Sequence, residues 1–257
     1  MSVLTSNQSL LLGILLPGAW FVLAGGAFTL CELVFPMRPL SRRLGFAVDA
    51  LGLTVAWLTS GFIAMLMNKL LMPWGAYRPD LTMMPLLFRG LLYFVLSDFS
   101  RFFTHWLMHR QTFWPAHRFH HSVQGLYWFS GNRASVIHVA LFMAPMALWG
   151  WVLDVGAFGV AANVVLIILW NDIMHTNARL SPSLQRLLEW VVTTPRYHHI
   201  HHSEDPQHRG VNLASILTIW DRLARTYVDP DRVDNLHLVF GSEDAARRPI
   251  WRSLIGV

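Results

Sequence analysis

Cysteine and lysine are almost missing from this sequence, Cys31 and Lys69 being the only ones among 257 residues. A lone cysteine rules out a disulfide framework, cysteine-based zinc and iron–sulfur sites and c-type haem attachment, so metal or redox chemistry falls to other side chains. The formal charge of +5 rests on arginines scattered along the chain, without the basic stripe of a nucleic-acid binder, so no nucleic-acid partner is expected. No basic residue precedes Arg38. The N-terminus therefore lacks the charged start of a secretory signal peptide, and the first apolar run is expected to stay as an anchor. The Glu-x-x-His pairs that hold metal in soluble di-iron bundles, flavin, dinucleotide and haem fingerprints, and internal repeats are missing as well.

Apolar residues are in excess: 54% hydrophobic content with mean hydropathy +0.39 is too apolar for an ordinary soluble domain. The expected fold is all-α, an integral membrane helical bundle of four to five spans with a cytosolic histidine-rich helical cap, in one membrane domain over residues 1–257. Spans are expected at about 10–34, 46–71, 85–103, 136–153 and 157–174, lengths that suit a helix crossing a bilayer. The loop carrying Arg38, Arg42 and Arg43 has no acid, so the positive-inside rule places it in the cytoplasm and the N-terminus outside. Arg89, Asp98 and Arg101 interrupt the third span, and ionisable groups at such depth are functional candidates. The cap is expected over 98–135 and 175–227, with a surface helix from Pro182 to Val192 whose apolar face is Leu184, Leu187, Leu188 and Val191.

Histidine carries the chemistry. His105 and His109 are four apart, His117, His120 and His121 follow the spacing H-x-x-H-H, and His198, His201 and His202 repeat it some eighty residues later. On a helix these spacings put each cluster on one face. Neutral imidazole suits iron, zinc, copper and nickel, and a transition ion takes roughly four to six ligands, so eight imidazoles imply two metal ions. Asp98 lies two helical turns before His105 and is placed to accept its N–H. Asp172 stands three residues before His175, the spacing of an outer or direct ligand. His199 falls one residue off the metal-facing row, as a supporting or surface residue.

The ordered motifs resemble the fatty acid hydroxylase and sterol desaturase superfamily. They are H-x-x-x-H, H-x-x-H-H, His175-Thr176-Asn177, Thr194-Pro195-Arg196-Tyr197-His198 and Trp220-Asp221-Arg222-Leu223. The resemblance implies a membrane enzyme holding two Fe ions, with zinc as a substitute in purified protein and O2 as co-substrate. It implies His105, His109, His117, His120, His121, His175, His198, His201 and His202 as metal ligands. Asn177 and Asp221 lie inside the matching motifs and join Asp98, Asp172 and His199 as candidate supporting residues. Asn171 stands where some relatives carry another histidine, Arg133 lacks the histidine that commonly follows two residues later, and His138 is the candidate to replace it. Ala224-Arg225 departs from the usual phenylalanine-glycine.

The implied activity is an O2-dependent lipid hydroxylase acting on an acyl-chain or sterol-like membrane substrate, with a desaturase of the same architecture or a zinc-dependent membrane hydrolase as alternatives. Trp128 and Phe129 are candidate walls of a substrate tunnel. With no cofactor motif of its own, the chain needs an external electron donor, a ferredoxin or cytochrome with its reductase. The expected location is the inner or plasma membrane of a bacterium, with the active site facing the cytoplasm.

Overall fold

A computed structural model describes residues 22–39, 45–81, 83–241 and 248–257. Residues 10–21 of the first expected span, together with Arg42 and Arg43, lie outside the described residues. The helices are α1 (Val22–Val34), α2 (Phe46–Leu71), α3 (Leu86–Met108), α4 (Trp114–Arg118), α5 (Val136–Val152) and α6 (Gly156–His175). Four short ones follow: α7 (Pro182–Leu188), α8 (Pro195–His201), α9 (Ile219–Ala224) and α10 (Ile250–Ile255). Among the described residues there is no β-strand, only isolated bridges.

Helix α2 points Trp57, Leu58, Phe62, Met65 and Leu70 outward, which is stable only against an apolar surrounding. Among the described residues, two helical stretches are long and apolar enough to cross a membrane, Phe46–Tyr77 and Gly156–His175. The other expected spans are less complete: α5 has 17 residues, and α3 carries the charges of Arg89, Asp98 and Arg101. The charges on α3 have separate uses. Arg89 donates to the carbonyls of Leu153 and Asp154 at the end of α5, and Arg101 lies over the Phe142 ring at 4.3 Å.

Helix α3 continues beyond the expected span to Met108, so His105 is helical and His109 is its C-cap. Helix α5 starts where the Ser135 hydroxyl accepts the N–H of His138, an N-cap that fixes the chain's entry angle. Helices α1 and α2 are tied to the cap by buried acids. Glu32 at the end of α1 accepts the N–H groups of Trp128 and Asn177, each at 2.8 Å. Asp49 in α2 is fully buried, pairs with Arg133 and accepts the Tyr127 hydroxyl at 2.6 Å. A buried charge is tolerated only when so paired.

Candidate metal centre

The nine histidines named by the motifs come together in two adjoining groups. His105, His109, His117, His121 and His201 form one, and His120, His175, His198 and His202 the other; within each group the ligand atoms lie within 4.8 Å of one another. The groups share a wall, where the rings of His121 and His202 stack with centroids 4.5 Å apart. Sequence-distant elements meet here: the end of α3, the segment through α4, the end of α6, and α8.

The ring orientations are set from behind by main-chain carbonyls. His105 Nδ1 lies 2.7 Å from the Leu213 carbonyl and His201 Nδ1 3.0 Å from that of Val211. In the second group His120 Nδ1 faces the Arg133 carbonyl at 3.1 Å and His175 Nδ1 that of Asn171 at 2.7 Å. A carbonyl accepts only, so these Nδ1 atoms carry the protons and the Nε2 lone pairs point inward. The inward atoms are crowded. His175 Nε2 is 3.1 Å from that of His202 and 3.2 Å from that of His198, and the His198 and His202 Nε2 atoms are 3.0 Å apart. In the first group, the buried Nε2 atoms of His109, His121 and His201 have no hydrogen-bond partner. Lone pairs that converge without donors repel, and a shared cation removes that conflict. The donor set therefore fits two transition ions.

The electrostatics keep the ligands in metal-binding form. Burial, and then repulsion from neighbouring rings, pulls the imidazoles of His109, His117, His121 and His202 well below 6.5. They are neutral at pH 7, as ligation requires.

Several supporting roles differ from those expected. Asp98 makes no bond to His105; its carboxylate accepts the N–H groups of Ile216 and Leu217, each at 3.0 Å, and the Trp220 indole at 2.8 Å. It pins the segment before α9, and the helical spacing misled because His105 turns to a carbonyl instead. His199 is fully buried, not a surface residue, and its Nδ1 contacts Arg38 at 2.8 Å. His138 belongs to neither group and sits behind His117, Nδ1 to Nδ1, at 3.3 Å. Asn171 contributes its backbone carbonyl to His175, while Asp172, outside both groups, accepts from Asn132 at 3.3 Å. Asn177 clasps the Arg38 main chain on both sides.

Asp221 has the largest share of buried bonds. It accepts the N–H groups of Leu213 and Ala214 and the hydroxyls of Tyr197 and Thr226, at 2.6–2.8 Å. It thereby fixes the Leu213 carbonyl on which His105 is oriented. Asp221→Ala leaves these buried donors unsatisfied, and the expected loss is about 3–5 kcal/mol of stability. Metal should leave the five-histidine group first, read by thermal unfolding and metal per chain; unchanged values for both would exclude this role.

Comparison with known proteins agrees with the site. A model of the family described as fatty acid hydroxylase matches residues 90–226, more than half of the chain. The chain belongs to the fatty acid hydroxylase family. This family member is 29% identical to alkylglycerol monooxygenase of Xenopus tropicalis over 53% of its own length and 30% of the relative's. It is 29% identical to ornithine lipid hydroxylase OlsE of Rhizobium tropici over 58% of its own length and 44% of the relative's. Human alkylglycerol monooxygenase is 26% identical over 58% of this chain and 32% of its own. The chain thus spans less than half the length of these relatives. No solved structure matches it.

In this family member Glu32, Asp49 and Gly131 also support the site, and the motifs do not point to them. An acid in an apolar run was the available signal for the first two. Gly131 has no such signal: a Cβ there would lie 2.5 Å from His175 Nδ1 and 2.7 Å from Asn171 Nδ2. Gly131→Ala is expected to push His175 out of its group at a cost of about 1–3 kcal/mol. Metal content should fall with helical content unchanged; full metal in this variant would mean that the His175 ring has room to move.

Proposed function

We propose that this chain is an O2-dependent lipid hydroxylase, with two iron ions held by the nine histidines and an acyl-chain or sterol-like membrane lipid as substrate. The observation that carries the reading is the convergence of inward lone pairs in two adjoining all-imidazole groups. Iron bound there would supply the O2 chemistry that side chains lack. The net reaction inserts one oxygen atom into a C–H bond and reduces the other to water, and it consumes two electrons and two protons. Those electrons come from an external ferredoxin or cytochrome with its reductase.

The protein's own work is positional. Carbonyls of Leu213, Val211, Arg133 and Asn171 hold the rings, and the burial of eight of the nine histidines, His109 being partly exposed, limits the access of bulk water to the centre. Trp128 and Phe129 are buried beside α1 and α2, packed with Phe28, Ala50 and Leu53, where they would form a wall facing the lipid. Leu184, Leu187, Trp190 and Val191 on and after α7 are exposed, which suits a helix resting on the membrane surface. This supports a cap at the cytoplasmic face of a bacterial inner or plasma membrane, where the reductant is available. The names of the relatives, a monooxygenase and a lipid hydroxylase, favour hydroxylation over desaturation.

Membranes containing the protein, a reductase system and isotopically labelled O2 test the reaction. The expected product is a lipid carrying one labelled oxygen. A lipid that has lost two hydrogens and gained no label would replace hydroxylation by desaturation, and label entering from water would point to a zinc hydrolase.

A further inference from the structure

Around Arg38, whose guanidinium contacts His199, lies a cavity of about 260 Å³, lined by Arg38, Pro39, Asn177 and residues 124–126 and 238–240. Arg38 is held rigidly within it. Its Nε and one terminal nitrogen donate to the Asn235 carbonyl, and the other terminal nitrogen contacts His199 Nδ1 at 2.8 Å. All of these acceptors are neutral, and among the described residues no carboxylate pairs with this guanidinium. Each terminal nitrogen carries two hydrogens and makes one of these contacts, so donor capacity remains for an oxyanion. Burial without a counter-ion lowers the Arg38 pKa from 12.5 to about 10. A half-buried cation fixed by neutral groups gains from an anion that enters the cavity.

The position of the cavity indicates where the anion comes from. Helix α1 ends at Val34 and α6 at His175, and the chain just beyond both ends is joined by antiparallel pairing of Pro36 with Ala178. Arg38 and Asn177 lie in those two segments. The cavity therefore sits at the level where two apolar helices stop. Leu33, Val34 and Phe35 are exposed beside it, a surface for acyl chains next to a cation at headgroup depth.

We propose that this cavity binds the anionic headgroup, phosphate or carboxylate, of a membrane lipid and thereby selects anionic lipids as the substrate class. The proposal rests on the lipid hydroxylase reading above. Selection follows from adjacency: Arg38 touches His199, the neighbour of His198, and Asn177 lies two residues after His175. A headgroup fixed here holds its lipid against the elements that carry the metal ligands, while a neutral lipid brings no charge to pair with Arg38.

The test is native mass spectrometry of the full chain in non-ionic detergent, with phosphatidic acid or the diacylglycerol of the same chains. Phosphatidic acid is expected to be retained and diacylglycerol not. Arg38→Gln should reduce the adduct at least tenfold. Because that variant also loses the bonds to Asn235 and His199, Val239→Asp is the second arm: it puts a negative charge at an exposed lining position and should reduce the adduct similarly. Inorganic phosphate at millimolar concentration should fail to displace the lipid. Equal retention of the two lipids, an unchanged adduct in Val239→Asp, or displacement by phosphate would each overturn the proposal, the last by assigning the cavity to a soluble anion. Retention does not depend on turnover. An adduct without labelled product would count against the hydroxylase reading alone, and labelled product from neutral lipids without an adduct would count against the headgroup site alone.

Discussion

Purified His120→Ala is expected to lose one metal ion per chain and all hydroxylation, while still inserting in the membrane. The group it belongs to has four imidazoles, the lower limit of what a transition ion takes. None is spare. Removing His120 also leaves the Arg133 carbonyl without the ring it orients. Affinity should fall by well over the roughly 10–100-fold that follows loss of a mere supporting residue. His201→Ala makes a graded contrast. Its group keeps four imidazoles after the change, so metal should be weakened rather than lost, and activity should drop because the Val211 carbonyl no longer fixes a ring. His199→Ala removes a ring outside both groups, and metal stoichiometry should stay intact even if stability falls. Elemental analysis and turnover on the same preparations decide the matter. Full occupancy and normal rates in both His120→Ala and His201→Ala would refute a shared site.

How much of this could be read from the sequence depends on the range of each interaction. The histidine spacings are local signals, four residues apart in His105 and His109 and H-x-x-H-H elsewhere, and local periodicity specifies which rings share a face. It cannot specify which rings share an ion. His120 and His121 are adjacent in sequence yet fall in different groups, and so do His201 and His202, because neighbouring helical residues point about 100° apart. Asp98 was misassigned for the related reason that its partners, Ile216, Leu217 and Trp220, lie more than a hundred residues away. Asp49 stands out in the sequence as an acid in an apolar run, but its tie to His120 does not, since that runs through Arg133, whose side chain it grips and whose carbonyl faces the ring. The apolar helices themselves were legible with boundaries close to those found for α2, α5 and α6, because hydrophobic length alone sets them.

Acid should open the metal-free cap over a narrow pH range. Burial first, and then neighbouring charges, hold the imidazoles of His109, His117, His120, His121, His198 and His202 well below 6.5, and burial brings His201 to about 4. The folded pKa values are depressed, so their contribution to stability is fully present above about 6.5 and is lost as pH falls toward the folded values. Below 6.5 the unfolded chain takes up protons that the folded cap refuses. Each such group adds up to about 1.4 kcal/mol per pH unit, so four acting together reach about 5 kcal/mol per unit, the scale of a whole domain's stability. Unfolding is expected to begin between pH 6.5 and 5. Bound metal competes with those protons for the same lone pairs and should move the transition to lower pH, with metal release coinciding with opening. Trp114 is a built-in reporter, its ring 5.4 Å from that of His109 and 5.2 Å from that of His121. The chain has 12 tryptophans, so the Trp114 signal is taken as the difference from Trp114→Phe; followed in detergent from pH 8 to 4 with and without iron, it should change steeply in the metal-free protein and at lower pH in the loaded one. Coincident curves for the two forms would mean that these imidazoles bind no metal, whatever their spacing.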